Sequence, residues 1–333
     1  MKLFALNARN GPAAAAARIL GVALARHEAR EFEDGEFKVR SLDSVRGQQV
    51  FVWYSLHGEA DLSAADKLCR LLFLLGSLKD AGASETLCIV PYLAFARKDR
   101  RTKAHDPITT RYVAALFEAV GGDGIVTMDV HHVAAFENAF RCPTVHLEAR
   151  PLFVSHLVPV LRDREVAVVS PDAGGAKRAD LLRESLASAL GTAIPLAFLE
   201  KRRSGGVIRG QDTVVGGVEG RAVVIVDDLV STGTTLAGAA AACRAQGATT
   251  FYAVVTHGLF TGDAERVLAG AGFERLVITN TVPPFRLRPQ TVDAHLAVLD
   301  VAPLLAEAIR RLHRDEPLED LKVFGLPQAR ASV

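Results

Sequence analysis

The segment RAVVIVDDLVSTGTTLAGAAAACRAQG, from Arg221 to Gly247, sets a strand, a loop and a helix in one short run. Ala222 to Val226 is continuous, apolar and rich in β-branched residues, which suits a strand buried on both faces of a parallel sheet. Two carboxylates, Asp227 and Asp228, stand at its carboxyl end. Ser231-Thr232-Gly233-Thr234-Thr235 then makes a hydroxyl-rich turn into an alanine-rich helix that ends near Gly247. In an open α/β sheet, ligands bind beyond the carboxyl ends of the strands. Backbone N–H groups at a loop-to-helix junction favour a phosphate there, and the helix dipole adds to the attraction. Hydroxyls can add donors, Gly233 permits close backbone approach, and the acid pair can accept hydrogen bonds from sugar hydroxyls. Small residues after a strand also serve simply as helix caps. The two adjacent carboxylates need partners, and they favour a ribose-phosphate cradle. No Gly-Lys-Ser/Thr follows the strand, so a Walker-type loop is excluded.

The rest of the chain supplies the setting. At 333 residues it is long for one core, and two α/β domains of similar size are the natural expectation. Apolar residues make up 49% and charged residues 23%, as in ordinary globular proteins. A net charge of +1 gives no sign of a nucleic-acid or membrane surface. Cys69, Cys88, Cys142 and Cys243 are scattered without metal-ligand spacing, which argues for a reducing cytoplasm and against a disulfide frame or zinc site. The run Ala13 to Ala17 is preceded by Arg9 and followed by Arg18, unlike a signal peptide. Leu71 to Leu75 falls far short of the roughly 20 apolar residues that span a bilayer. A soluble protein is expected.

Strand-like runs recur at Leu3–Leu6, Val50–Tyr54, Leu87–Val90, Ile125–Met128, Val166–Ser170, Ala193–Phe198, Val223–Val226, Phe251–Val255 and Leu276–Ile278. Helical patterns lie between many of them, for instance Leu62–Leu78, Thr109–Val120, Lys177–Leu190 and Leu236–Ala245. Such alternation predicts mainly parallel sheets with helices on both faces. The expected division is a domain over 1–148, a second over 149–316, and a tail over 317–333 without strong periodicity.

Five further segments carry candidate chemistry. Phe32-Glu33-Asp34-Gly35-Glu36 reads, taken alone, as a turn between two strands. Pro91 to Arg101 follows the strand Leu87–Val90 and brings Arg97, Lys98 and Asp99 into a strongly basic stretch. A charge run is usually a solvated loop, but its place at a strand end favours a polyphosphate site, because arginine forks match phosphate oxygens. Asp129-Val130-His131 follows a third strand, where carboxylate and imidazole can ligate or orient a divalent ion. Ser170-Pro171-Asp172-Ala173-Gly174-Gly175 is a tight strand-to-helix turn. Lys201-Arg202-Arg203 precedes a glycine hinge and suits a loop that closes over transferring phosphates.

The strand, acid pair and Thr-Gly-x-Thr turn resemble the phosphoribosyl-diphosphate (PRPP) loop of type I phosphoribosyltransferases, a loop shared with ribose-phosphate pyrophosphokinases, or PRPP synthetases. The other segments resemble the second family. Phe32 to Glu36 is similar to its F-x-D-G-E, Pro91 to Arg101 to its P-Y-x-x-Y-A-R-Q-D-R-K, Asp129 to His131 to M-D-L-H, Ser170 to Gly175 to S-P-D-x-G-G, and Lys201 to Arg203 to K-R-R. The resemblance implies two tandem phosphoribosyltransferase-like domains and transfer of the ATP diphosphoryl group to ribose 5-phosphate. It implies ATP contacts from Phe32, Asp34, Gly35, Glu36, Arg97, Lys98 and Asp99, and Mg²⁺ ligation by His131 and Asp172, with Asp129 a further candidate. Lys201 inherits a catalytic role and Arg203 a catalytic and sugar-phosphate-binding one. Ribose 5-phosphate would also meet Asp227, Asp228, Ser231, Thr232, Gly233, Thr234 and Thr235. Relatives are commonly dimer-built hexamers, in which the Asp34–Glu36 segment reaches a neighbour's site, so the resemblance implies a homo-oligomer here, a dimer or a hexamer built from dimers. The chain departs from the family at Phe95, Lys98, Ser231 and Thr234. A phosphoribosyltransferase would explain the cradle but not the segments at Phe32 and Arg97. A non-catalytic regulatory relative would not need Lys201, Arg203, His131 and Asp172 intact.

Overall fold

The computed structural model describes residues 1–6, 11–200, 203–204, 207–208 and 213–322. The chain divides into two compact units, one of residues 1–148 with those from Asp300 on, the other of Ala149–Leu299.

In the first unit, β1 (Lys2–Ala5), α1 (Pro12–Leu20), β2 (His27–Glu31), β3 (Phe37–Ser41), β4 (Gln49–Trp53), α2 (Ala64–Asp80), β5 (Glu85–Val90), α3 (Thr109–Ala119), β6 (Gly124–Met128), α4 (Val133–Ala139) and β7 (Thr144–Leu147) follow in order. Five strands form a parallel sheet in the order β1-β4-β5-β6-β7. Its central strands are apolar on both faces, as a sheet covered on both sides requires. Leu71, Leu74, Leu75 and Leu78 bury one stripe of α2 in the same core as Val50, Val52 and Val90. Ser63 starts that helix with a capping box to Asp66. β2 and β3 stand apart as an antiparallel hairpin around the Asp34-Gly35 turn.

The second unit runs through α5 (Arg150–Leu161), β8 (Val166–Ser170), α6 (Ala176–Leu190), β9 (Leu196–Glu200), β10 (Arg203–Ser204), β11 (Val207–Ile208), β12 (Thr213–Val215), β13 (Ala222–Val230), α7 (Thr234–Ala245), β14 (Thr250–Gly258), α8 (Ala264–Ala271), β15 (Arg275–Thr279), α9 (Pro289–His295) and β16 (Leu296–Leu299). Its main sheet has the order β12-β9-β8-β13-β14-β15-β16, parallel except for β12 against β9. Val223, Ile225, Ala253, Val255 and Ile278 pack with Leu236, Ala239 and Ala240 of α7.

Three features differ from the sequence reading. The strand expected at Ala193–Phe198 forms at Leu196–Glu200, because Pro195 leads into it. β13 continues to Val230, so the acid pair lies inside the strand. A last helix, α10 (Ala302–His313), belongs to the first unit, although the sequence reading assigns 300–316 to the second domain. Leu304, Leu305, Ala308 and Ile309 are buried on that helix, which packs against α1. Only that contact, remote in sequence, decides where the amphipathic segment goes.

Candidate active site

The acid pair owes its position to a difference in strand length. β13 pairs with β8 only from Ala222 to Ile225, whereas its pairing with β14 continues to Val230 opposite Gly258. Asp227 and Asp228 therefore stand on the part of β13 that projects past β8. The Asp228 side chain is 4% exposed and that of Asp227 21%. Arg178 of α6 reaches both, with Nη1 at 3.4 Å from Asp228 Oδ1 and 3.8 Å from Asp227 Oδ1. Asp227 Oδ1 also accepts the Asp228 backbone N–H at 2.9 Å. Burial first, and then the charge of Asp228, push the Asp227 carboxyl well above the usual carboxylate range, while Arg178 pulls it back only in part.

Beyond the pair, Ser231 to Gly233 turns into α7. Gly233 has φ 78° and ψ −6°, a left-handed conformation that glycine adopts without penalty. Thr232 and Thr234 are exposed and their hydroxyls lie 3.0 Å apart, while Thr235 is exposed in the first turn of α7. Ser231 Oγ is 2.7 Å from Thr261 Oγ1, and its carbonyl accepts the Thr261 N–H at 2.9 Å, which ties the loop to the segment after β14. Among the described residues no side chain caps α7, and its first turn holds no acidic residue. Its leading N–H groups thus present partial positive charge at the mouth of the loop, the arrangement that receives a phosphate.

Asp172 stands at the end of β8, the strand beside β13. Its Oδ1 accepts the Gly175 N–H at 2.9 Å, and Ser170 Oγ donates to the Asp172 carbonyl at 2.6 Å. These bonds fix the turn, which follows β8 at the carboxyl end of the sheet where the neighbouring β13 carries the acid pair.

In the first unit, the segments after β5 and β6 meet at one edge, where the Met128 N–H donates to the Pro91 carbonyl at 3.3 Å. Phe95 takes φ 64°, outside the usual range for an aromatic residue, and the hydroxyls of Thr109 and Thr110 hold its carbonyl at 3.1 and 3.3 Å. Arg97 is exposed there and Asp99 half-buried. Lys98 turns inward onto Asp106, whose carboxylate also accepts the N–H groups of Thr102 and Lys103 at 3.0 and 2.9 Å. Those bonds, led by the one from Lys98, hold the Asp106 carboxyl well below the usual range. Lys98 thus ties its own loop together. Asp129 is buried, with φ 37°, and His131 is exposed. His132 is the N-cap of α4, accepting the Ala135 N–H at Nδ1.

Phe32, Asp34, Gly35 and Glu36 lie together at the exposed tip of the hairpin. The Phe32 N–H bonds the Glu36 carbonyl at 2.8 Å, Asp34 Oδ1 accepts the Glu36 N–H at 3.0 Å, and Gly35 takes φ 86°. Lys201 lies outside the described residues. The backbone of Arg203 is described, paired with Ile208 in a two-stranded ribbon.

Sequence reasoning missed Arg178 and Leu268. Arg178 sits six residues beyond Asp172, a spacing that could have drawn attention to it. Leu268 of α8 packs on Gly233 and looks like any other apolar helix residue.

A parallel sheet with an acid pair on its projecting strand and an uncapped helix start beyond it defines a phosphoribosyltransferase-like α/β protein, here with a second α/β unit in the same chain. Residues 1–121 match the family described as the N-terminal domain of ribose phosphate pyrophosphokinase, and residues 208–322 match the phosphoribosyl synthetase-associated domain. The ribose-phosphate pyrophosphokinase of Caldanaerobacter subterraneus subsp. tengcongensis is 37% identical over 94% of this chain and 95% of its own length. Ribose-phosphate pyrophosphokinase 1 of Streptococcus pyogenes is 32% identical over 98% of each. The crystal structure of phosphoribosylpyrophosphate synthetase from Mycobacterium smegmatis superposes with a TM-score of 0.83 at 34% identity, covering 94% of this chain and 99% of that one. The chain belongs to the ribose-phosphate pyrophosphokinase family.

Proposed function

We propose that the protein transfers the β,γ-diphosphoryl group of ATP to the C1 hydroxyl of ribose 5-phosphate, giving PRPP and AMP. The C1 oxygen bonds to the β-phosphorus, the bond from that phosphorus to the α,β-bridging oxygen breaks, and AMP departs with that oxygen. The hydroxyl proton passes to solvent; no described side chain stands out as a required base. Such transfers leave the protein mainly alignment and charge neutralisation to do.

The observation that carries this reading is the projecting end of β13 with the uncapped start of α7 beyond it. The N–H groups and hydroxyls of Ser231 to Thr235 hold the 5-phosphate, and Asp227 and Asp228 accept the ribose hydroxyls. On the ATP side, Arg97 is an exposed cation that meets phosphate, with Asp99 close to it in sequence, while Lys98 serves by fixing the loop. Phe32, Asp34, Gly35 and Glu36 approach the nucleotide from a neighbouring subunit of a homo-oligomer, a dimer or a hexamer built from dimers. The exposed hairpin supports that arrangement. Lys201 and Arg203 meet the charge on the transferring group.

Among the described residues no group of three or more His, Cys, Asp or Glu side chains forms a metal cage. Mg²⁺ commonly binds one or two protein ligands with substrate phosphates, and His131 with Asp129 in the first unit, and Asp172 in the second, are donors of the kind that would each hold such an ion. When bound, Mg²⁺ neutralises triphosphate charge. Among the described residues no helix is long and apolar enough to cross a membrane. The reading places the enzyme in the cytoplasm.

Incubating the pure protein with ATP, Mg²⁺ and ribose 5-phosphate tests the reading. AMP must appear only when the sugar is present. A phosphoribosyltransferase would instead consume PRPP with a base, and a regulatory relative would do neither.

A further inference from the structure

Two carboxyl groups on adjacent residues of one projecting strand cannot both carry charge without repelling each other, and both are largely withdrawn from solvent. Arg178 answers that repulsion. Its Nη1 lies within 4 Å of an oxygen on each acid, and its own side chain is 24% exposed. Its location is unusual for an arginine. It stands in the first turn of α6, where the helix dipole disfavours a cation. Helix formation gives no reason for a positive side chain there, whereas the acid pair does.

The same guanidinium also borders the Asp172 turn. A Cβ placed on Gly175 would lie 2.7 Å from Ser170 Oγ, 3.8 Å from Asp172 Oδ1 and 4.0 Å from Arg178 Nη1. Gly175 thus leaves the narrow gap through which the turn and the guanidinium approach each other. One short stretch, residues 172–178, carries a carboxylate bound to its own helix start and a cation reaching the neighbouring strand.

We infer that Arg178 is a positioning residue of the sugar site, holding the Asp227 and Asp228 carboxylates in the orientation that accepts the ribose hydroxyls and fixing their distance from the Asp172 turn. This deepens the proposed function and rests on it. A planar guanidinium suits the role because it can face two acceptors at once, whereas an ammonium is a single point charge.

Calorimetric titration of the full-length protein with ribose 5-phosphate, and separately with Mg-ATP, tests the inference. Replacing Arg178 by Gln removes the cation while keeping a polar side chain of similar reach. Arg178→Gln is expected to weaken ribose 5-phosphate binding about tenfold or more, the usual scale for stripping one partner from a desolvated charge cluster, while Mg-ATP affinity stays within about twofold. Arg178→Lys restores part of the sugar affinity. The Arg178→Gln/Asp228→Asn double variant binds sugar no more weakly than the worse single variant, since both changes break one unit. The inference is overturned if Arg178→Gln binds ribose 5-phosphate like the wild type, if it loses sugar and ATP in equal measure, or if the cycle is additive. Should Arg178→Gln not fold, Arg178→Lys decides: sugar affinity between wild type and none, with ATP affinity kept, supports the role, and wild-type sugar affinity overturns it. A wild-type protein that neither binds ribose 5-phosphate nor releases AMP with it sinks the proposed function itself, an outcome visible before any variant is made.

Discussion

Leu268 closes over Gly233. A Cβ on that glycine would come 2.7 Å from the leucine Cγ, closer than real carbon atoms approach. With φ at 78°, the backbone itself also disfavours a side chain there. The turn into α7 and the face of α8 are therefore fitted to each other. Gly233→Ala must either push Leu268 aside or relax the turn, and both move the leading N–H groups of α7. The expected result is a loss of about 1–3 kcal/mol in stability, by the usual scale for a side chain forced into a left-handed site, with weakened ribose 5-phosphate affinity. Urea unfolding and sugar titration read the two effects. Wild-type values for both would show that the turn tolerates a side chain.

Asp227 ties stability to pH. Burial and the neighbouring Asp228 hold its carboxyl above the usual range in the folded chain, so the folded state keeps a proton that the unfolded state has lost. By linkage, that group lowers stability progressively as pH rises from about 4, the usual carboxylate value, through its raised folded value. Asp227→Asn removes the ionisation, so the ligand-free variant should melt higher than the wild type at about pH 9 and alike at about pH 4. Its turnover should fall, because a carboxylate that accepts sugar hydroxyls is gone. A melting difference that is the same at both pH values would place the effect in packing.

Local pattern made much of this protein legible. The run Ala222 to Val226 announces a doubly covered strand because a parallel strand has no polar face. The α2 stripe Leu68, Leu71, Leu75 and Leu78 announces its helix through spacing alone. What stayed hidden depends on contacts between distant residues. β8 stops pairing with β13 at Val169 while β14 runs on beside it to Gly258, so the exposure of the acid pair is set by neighbours that a linear reading does not align. α10 is plainly amphipathic, yet nothing in its pattern says that α1, nearly three hundred residues earlier, is its partner. Lys98 reads as one more phosphate-binding cation in a basic run. Its bond to Asp106 shows that part of that charge is used to shape the loop.

Lys201 belongs to the segment between β9 and β12 and lies outside the described residues, so its role rests on sequence and chemistry. A cation that meets charge only on the transferring group contributes to the transition state and little to ground-state binding. Lys201→Ala should therefore lose about a hundredfold or more in kcat, the scale set by removing one preorganised electrostatic partner. Ribose 5-phosphate binding should be largely retained. Rapid quench of AMP formation with parallel sugar titration separates the two. Turnover close to wild type would remove Lys201 from the chemistry.

The hairpin tip makes the sharpest prediction about assembly. Phe32 is 42% exposed, and Asp34 and Glu36 are exposed beside it at the turn between β2 and β3. If the tip completes a neighbour's nucleotide pocket, an Asp34→Ala/Glu36→Ala variant and a Lys201→Ala variant are each inactive for a different reason. In a mixed dimer one site then joins an intact tip to an intact Lys201, while the other site carries both defects. Random remixing after mild dissociation makes about half the dimers mixed, each with one working site of two, so about a quarter of wild-type AMP formation should return. Should the tip serve its own subunit, every site keeps one defect and mixing restores nothing. Native mass spectrometry of the mixture must show mixed dimers for either result to count, and the rate of AMP release in that same sample then says which subunit the tip serves.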